Sequence, residues 1–304
     1  MSEPFIGVLF TIAATFSWAA GSICLRFGID GVRILPATAI SLVSGFFYVL
    51  FINLIIDYQA LFHISLFTFI GFSLIGITQF LGGRALYYTG VSLIGVGRAT
   101  ALGGGGPIVS SLLAVVLLGE IVTMPLAIGI AAVVVGVLVI VLENSKTMDM
   151  PSRIVTFKLL SQARLGFVAI MASTLVYSVA QVSTRSMLIE DISPIIASLI
   201  TLFAGSIVLL LLTLRDFKLN YRISRKDTFW MIIAGILASN GAMLSFLALQ
   251  KAPVVLVSPI LSITPLITLV LAAIFLRQVE KLNARIIIGS LIVVVGVVLV
   301  VLAK

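Results

Sequence analysis

The chain has 304 residues, of which 61% are apolar and only 10% are charged, and its mean hydropathy is +1.29. Soluble domains are about 45–50% apolar and about 25% charged, so a soluble fold would leave a large apolar excess in water. The net charge of +8 does not indicate a nucleic-acid partner, because the Lys and Arg residues lie in short gaps between apolar runs rather than on one basic face. The composition therefore predicts an integral membrane protein whose surroundings are the lipid bilayer.

Ten apolar runs along the chain are long enough to cross a bilayer, which requires about 20 helical residues. Backbone groups in lipid must be satisfied within the segment, and the runs do not alternate as barrel strands do, so we predict an all-α integral membrane fold with ten transmembrane helices. In chain order the predicted helices are Phe5–Phe27, Ile34–Ile56, Leu66–Tyr88, Ala99–Leu118, Pro125–Leu142, Leu165–Met187, Pro194–Leu214, Thr228–Leu249, Val254–Leu276 and Ala284–Leu302.

The longest gap between these runs is polar, charged and near the middle of the chain. It reads ENSKTMDMPSRIVTFKLLSQAR and covers residues 143–164. Domain boundaries usually fall in such segments. We therefore predict a first five-helix repeat at residues 1–142, a cytoplasmic linker at 143–164 and a second five-helix repeat at 165–304.

Landmarks of the first half recur in the second half in the same order, at offsets of 158 to 160 residues, and this constant offset predicts an internal repeat. The matched pairs are Trp18 with Tyr177, Arg26 with Arg185, Pro36 with Pro194, Pro107 with Pro265, Gly129 with Gly289 and Gly136 with Gly296. With five helices in each copy, the second copy enters the membrane from the opposite side. The sequence thus predicts two inverted repeats, which are typical of transporters that expose one site alternately to the two sides.

Positive charge indicates how the chain faces, because cytoplasmic loops are enriched in Lys and Arg. The loops after odd-numbered helices carry most of the cations, whereas the loops after even-numbered helices carry Arg185 and Lys251. The segment RDFKLNYRISRKD, between the seventh and eighth helices, matches a segment without Lys or Arg between the second and third, DYQALFHIS. We predict basic loops in the cytoplasm and both termini outside.

Three stretches resemble the EamA-type proteins of the drug/metabolite transporter superfamily. They are AATFSWAAGSICLRFG in the first helix, the stretch from Ala85 through Pro107 to Gly119-Glu120, and its second copy ALQKAPVVLVSPILSITPLITLVLAAIFL. The resemblance covers essentially the whole chain and implies a ten-helix transporter with a central cavity that moves small metabolites, commonly amino acids and often outward. The chain departs from the family where Gly119-Glu120 becomes Arg277-Gln278, in five extra residues before Pro107, and in its predicted orientation.

The start of the fourth helix is the first candidate for substrate binding. It contains Arg98, Thr100 and then Gly103–Gly106 before Pro107. Glycine costs about 1 kcal/mol and proline about 3 kcal/mol in a helix, so this segment is expected to bend or unwind. Such breaks are tolerated where they line a cavity, which makes Gly104 and Arg98 candidates. The alternatives are close helix packing for the glycines and a surface position for Arg98 and Arg84.

Polar and aromatic side chains inside other apolar helices are the remaining candidates. Mid-helix aromatics can stack on a substrate or pack, and amides in apolar helices bind substrate or join helices. Ser262 lies beside Pro265, the counterpart of Pro107. The predicted substrate-binding set is Trp18, Gln79, Arg98, Thr100, Gly104, Tyr177, Gln181, Asn240 and Ser262.

Acidic residues lie only near predicted helix ends or in loops, which disfavours a proton-coupled exporter of cations. One His and one Cys predict no metal and no cofactor. The favoured function is export or facilitated diffusion of amino acids or related compounds. The alternatives are an exchanger of phosphorylated metabolites or nucleotide sugars, a membrane enzyme, and a non-transporting partner protein. We expect a multi-pass protein of a prokaryotic plasma membrane that binds a small-molecule substrate, as a monomer or homodimer.

Overall fold

A computed structural model gives the fold, and it describes residues 3–28, 34–56, 58–62, 64–83, 86–87, 89–90, 93, 102–103, 105–146, 157–188, 192–218, 224–275 and 284–302. Within these ranges the regular structure is helical. The helices are α1 (Glu3–Gly28), α2 (Ile34–Ile56), α3 (Leu66–Ile77), α4 (Gly106–Leu118), α5 (Met124–Lys146), α6 (Phe157–Leu188), α7 (Pro194–Lys218), α8 (Arg225–Lys251), α9 (Val254–Leu261), α10 (Thr264–Phe275) and α11 (Ala284–Leu302). A 3₁₀ turn, Gln59–Phe62, precedes α3, and a π-helical segment, Thr78–Gly83, continues it.

The helices have the length and surface of membrane spans. Of the described helices, six are long and apolar enough to cross a bilayer, and shorter apolar segments lie at Gly106–Leu118, Met124–Val139, Val254–Thr268 and Ile288–Leu302. Large apolar side chains face outward along them. Phe51 and Ile55 on α2, for example, are 61% and 65% exposed. Because lipid tails are as apolar as these side chains, this surface fits a multi-pass membrane protein.

The helix ends differ from the predicted ones at five places. The predicted ninth helix is two helices, α9 and α10, separated at Ser262 and Ile263. Within the predicted fourth helix, α4 begins at Gly106, and in the predicted third helix α3 changes to π-helix at Thr78. Helices α5 and α6 also extend into the predicted linker, to Lys146 and from Phe157, because the hydropathy falls there before the helical backbone ends.

One contact between the two halves occurs twice, with the roles of the halves exchanged. Helix α2 packs on α8, and its counterpart α7 packs on α3. A Cβ added to Gly76 would overlap the backbone carbonyl of Thr201, and one added to Gly235 would overlap that of Ser41. The two glycines are 159 residues apart and their two partners 160, so one backbone-to-backbone contact occurs twice, with the halves exchanged. Small residues at helix crossings allow this approach within a membrane.

Helices α5 and α11 form the corresponding contact between the last helix of each half. A Cβ on Gly136 would lie 2.7 Å from the carbonyl oxygen of Gly289, and one on Gly129 would lie 2.9 Å from that of Gly296. The residue numbers rise along one helix as they fall along the other, so the two helices run antiparallel. Each helix therefore presents its glycines to the backbone of the other.

Candidate functional site: a cavity lined by both halves

A cavity of about 400 Å³ lies inside the helix bundle and is lined by residues of both halves. Its size falls in the range of small-molecule sites. More than half of its lining residues are aromatic or carry a hydroxyl group, and two more are amides. The aromatic and amide residues are Trp18, Phe80, Tyr87, Tyr177, Phe246, Gln79 and Gln181, and the hydroxyl residues are Ser173, Thr174, Ser178, Thr184, Ser198, Thr201, Ser245, Ser258 and Ser262. None of the described lining residues carries a formal charge.

Helix α6 contributes the longest polar stripe to the cavity. Its lining residues follow helical spacing, from Ser173 and Thr174 through Tyr177 and Ser178 to Gln181 and Thr184. Residues three and four apart lie on one face of a helix, so this face is turned inward. The opposite face carries apolar side chains such as Val168 and Met171, which are 64% and 52% exposed.

The hydroxyl groups of the cavity donate their protons to backbone carbonyls. Thr174 and Thr184 donate to the carbonyls of Ile170 and Ala180, one turn earlier, at 2.9 and 2.8 Å. The same arrangement holds for the pairs Ser198–Ile195, Thr201–Ala197, Ser245–Ala242 and Ser262–Pro259. A carbonyl oxygen can only accept, so each hydroxyl is the donor and keeps its own oxygen lone pairs as acceptors. The cavity thus presents a set of hydrogen-bond acceptors.

Two matched aromatic rings stand against matched glycines at the cavity. A Cβ on Gly241 would lie 2.6 Å from Cδ1 of the Trp18 ring, and one on Gly83 would lie 3.0 Å from Cζ of Tyr177. The Trp18 Nε1–H donates to the carbonyl of Ala238 at 2.9 Å, which fixes the indole. The absence of side chains on the two glycines leaves room for rings within the bundle.

Broken helices border the cavity in both halves. Helix α4 begins at Gly106 and α10 begins at Thr264, which is the matched position 158 residues later. Gly106 and Pro107 line the cavity from one break, and Leu261 and Ser262 line it from the other. Irregular backbone at membrane depth is expected only where it lines a cavity or is buried in protein.

Hydroxyl groups satisfy the carbonyls that the second break exposes. Pro265 has no N–H, and the carbonyl of Leu261 instead accepts from the Thr264 hydroxyl at 2.6 Å. The two breaks are also joined, because the buried hydroxyls of Ser110 on α4 and Ser258 on α9 lie 2.5 Å apart. Freed backbone groups in a membrane helix need such partners.

Five of the predicted substrate-binding residues, Trp18, Gln79, Tyr177, Gln181 and Ser262, line the cavity. Three others, Arg98, Thr100 and Gly104, lie outside the described residues, as does Arg84.

Asn240 is not among the described residues that line the cavity. Its amide oxygen accepts from the Tyr48 hydroxyl at 2.9 Å, and its amide nitrogen donates to the Ser17 hydroxyl at 2.7 Å. It therefore joins α8 to α2 and α1, which is the packing alternative for this amide.

Sequence reasoning missed most of the hydroxyl residues of the cavity. The pattern that identifies them is the polar stripe of α6, where hydroxyl and amide residues recur at helical spacing within an otherwise apolar run. The sequence indicated no role for Glu120 beyond its place in the family motif. In the structure its carboxylate accepts from the backbone N–H groups of Val254 and Val255 at 2.9 and 3.0 Å. Within the described residues, no group of three or more His, Cys, Asp or Glu comes together as a metal site would require.

A helical membrane bundle with two like halves, broken helices and a cavity lined by hydroxyl, amide and aromatic side chains is the architecture of a transporter of small molecules. The sequence model of the EamA-like transporter family matches the chain twice, over residues 5–142 and 164–302. The chain belongs to that family, as its sequence resemblance indicated, and is a multi-pass membrane protein of a family of transporters.

A solved structure described only as "Crystal structure of protein" has the same fold. It is 15% identical, with a TM-score of 0.79 over 98% of this chain and 97% of that one. No curated protein matches the chain at a significant level.

Proposed function

We propose that this protein carries amino acids or closely related small metabolites across the plasma membrane of a prokaryote, by export or facilitated diffusion. The cavity between the halves binds the substrate and opens alternately to the two sides. The protein works without a cofactor, as a monomer or homodimer. It acts through ten spans arranged as two inverted five-helix repeats.

The acceptor-rich lining of the cavity is the observation that supports this substrate class. Six hydroxyls that give their protons to the backbone leave oxygen lone pairs facing the cavity. An ammonium group has three donors and no acceptor, so it is the complement of such a surface. The side-chain amides of Gln79 and Gln181 supply N–H donors for a carboxylate within the same cavity.

The antiparallel pairing of α5 and α11 supports the inverted repeat. These helices occupy the fifth position of each half, and equivalent helices of two inverted repeats run in opposite directions. The exchange of Gly76–Thr201 and Gly235–Ser41 contacts agrees with a two-fold relation between the halves. Two like halves can adopt each other's shape, which provides inward-open and outward-open forms of similar energy.

Exchange of phosphorylated metabolites is the second candidate and is less favoured. A phosphate needs donors or cations, such as Arg and Lys side chains. None of the described lining residues of the cavity is a cation, and six of its hydroxyls present acceptors. Arg98, the residue for which the sequence favours this role, lies outside the described residues.

Flux measurements on the purified protein in liposomes test the proposal. We expect saturable flux of labelled amino acids that does not depend on a pH gradient, because the acidic residues lie near the ends of the apolar runs. The panel includes N-acetyl derivatives, which lack the ammonium group and are expected to cross at least tenfold more slowly. Flux of organic phosphates alone, by exchange, would replace the proposal with the second candidate.

A further inference from the structure

The junction between α8 and α9, residues Lys251–Pro253, adjoins one end of the cavity. Leu249 and Ser258, on the two sides of the junction, both line the cavity. Ala252 and Val254 are fully buried, and Leu188 and Leu249 pack with them in one apolar cluster. Buried backbone and apolar side chains therefore pack beside the cavity at this junction.

Glu120 holds the side of the junction that belongs to α9. Gly119 ends α4 in a left-handed conformation, with φ of 68°, and this turn carries Glu120 to the start of α9. The two carboxylate oxygens accept from the N–H groups of Val254 and Val255, one oxygen to each. Pro253 gives no side-chain cap, so the carboxylate satisfies donors that the helix leaves open, at the end where negative charge is favourable.

Arg185 holds the side that belongs to α8. One guanidinium nitrogen donates to the carbonyls of Leu249 and Gln250, the latter at 2.8 Å, at the end of α8 where positive charge is favourable. The charges of Arg185 and Glu120 also attract each other. The Arg185 Nε is buried without a hydrogen-bond partner among the described residues, so the guanidinium is only partly satisfied here. Incomplete satisfaction lowers the cost of release.

The pair is not repeated at the matched positions of the other half. Arg185 matches Arg26, but Glu120 matches Gln278, which has no charge. In an inverted repeat the matched pair stands at the opposite end of the cavity. The sequence therefore supplies a carboxylate at this position to the state closed at the α8–α9 junction and an uncharged amide at the matched position.

We propose that Glu120 and Arg185 are positioning residues that hold this end of the cavity closed, and that Glu120 biases the protein towards the form open on the opposite face. The proposal rests on alternating access as given under the proposed function. Both residues act through the backbone of α8 and α9 and not through contact with substrate. Opening of this end requires the release of both pairs of backbone bonds.

Glu120→Gln is the decisive substitution. The glutamine amide keeps the shape of the glutamate side chain but loses its charge. Its NH₂ group replaces one carboxylate oxygen and cannot accept from the backbone N–H that this oxygen binds. Glu120→Asp retains the charge. Glu3→Gln is the matched control, because Glu3 pairs with Lys251 of the same junction at 2.7 Å but is 71% exposed, and exposed ion pairs contribute little.

The readout is the reaction of a cavity cysteine with a membrane-impermeant maleimide, added separately to each face of sealed membrane vesicles. Cys24→Ala removes the native thiol, and Ser245→Cys places one in the cavity. In this parent we expect faster reaction from the face opposite the N-terminus. Glu120→Gln is expected to raise the rate from the N-terminal face at least threefold and to lower it from the other. Glu120→Asp should shift the rates less, and Glu3→Gln should leave them unchanged.

Equal rates in the parent and in folded Glu120→Gln would overturn the proposal. Arg185→Gln provides a second variant. If both residues hold the junction, it shifts the labelling rates in the same direction as Glu120→Gln. Labelling does not require a known substrate, so the two proposals fail separately. A cavity that reacts from both faces while no compound of the flux panel crosses would overturn the proposed substrate and leave the junction pair supported.

Discussion

Hydroxyl groups in this protein serve the backbone and the cavity at the same time. A threonine that donates to the carbonyl one turn earlier keeps its proton satisfied inside the membrane, where an unpaired polar group is costly. Thr174 and Thr213 make this same bond, at 2.9 and 2.8 Å, yet only Thr174 is among the described cavity residues. A comparison of Thr174 with Thr213 therefore distinguishes the role of the hydroxyl at the cavity from its bond to the backbone.

Thr174→Val removes the hydroxyl oxygen from the cavity while keeping the shape of the side chain. We expect KM for the transported amino acid to rise about five- to tenfold, since one lost hydrogen bond contributes about 1 kcal/mol and 1.4 kcal/mol is tenfold. Thr213→Val should leave KM unchanged, because Thr213 is fully buried outside that lining. Concentration-dependent flux in liposomes measures both, and equal KM values would remove Thr174 from the binding surface.

The amides show what the sequence could and could not predict at this scale. Gln79, Gln181 and Asn240 stand alike in apolar runs, and the sequence gives each the same two interpretations. The structure places the glutamines at the cavity and Asn240 between Tyr48 and Ser17. Apolar residues surround all three in sequence, so helical periodicity does not reveal which face is inside.

Among the elements, the break between α9 and α10 shows how a helix is interrupted without leaving bare backbone. Ser262 and Thr264 donate to the carbonyls of Pro259 and Leu261, each at 2.6 Å. The N–H of Ile263 donates to Ile260 rather than to Pro259, and Pro265 has no N–H to offer Leu261. The break is thus held by local bonds as well as by packing. It places Leu261 and Ser262 at the cavity.

Pro265→Ala restores an N–H that can reach the Leu261 carbonyl and favours a continuous helix. Proline costs about 3 kcal/mol against alanine in a helix interior but is tolerated in the first turn, where Pro265 lies in α10, so the substitution lowers the free energy of a continuous helix relative to the broken one. We therefore expect a transport rate at least about tenfold lower in a protein that still folds. Pro194→Ala is the control, because Pro194 stands at the first position of α7, where proline is tolerated. Thermal unfolding and liposome flux, measured on the same preparation, test this prediction. Unchanged flux would show that transport does not need the break between α9 and α10.

Element boundaries were predictable where a polar or turn-forming segment bounds an apolar run. The predicted Ile34–Ile56 and Ala284–Leu302 agree with α2 and α11. The break at Ser262 was not predicted: Pro265 was matched to Pro107, but hydropathy gave one continuous run over Val254–Leu276. The extension of α6 back to Phe157 was missed because polar residues such as Lys158 and Gln162 favour helix as well as loop.

For the molecule as a whole, charge is distributed unevenly between the two sets of loops. Arg185 and Lys251 are the two cations that the sequence places in loops after even-numbered helices. The structure shows both engaged, Arg185 with the end of α8 and Lys251 with Glu3. The predicted orientation rests on the excess of Lys and Arg in the other set of loops, which predicts those loops in the cytoplasm.

Reporter fusions test this orientation. We expect a reporter that is active only in the cytoplasm to work within the segment Arg215–Asp227 and to fail after Lys304, while a reporter active only outside gives the opposite result. The physical reason is the excess of Lys and Arg in that segment. Cytoplasmic activity at Lys304 together with external activity at Arg215–Asp227 would reverse the assignment of the two faces.

The contact between α5 and α11 limits where such a molecule can move. Backbone stands directly against backbone at Gly136 and Gly289 and again at Gly129 and Gly296, with no flexible side chain between them to change rotamer. The fully buried Val133 and Val293 already lie against Gly296 and Gly136 of the opposing helix, so sliding by a single residue would bring their side chains against residues larger than glycine. We therefore expect these two helices to act as a pivot shared by both halves in the proposed alternating access, with the rocking accommodated by the helices farther from it.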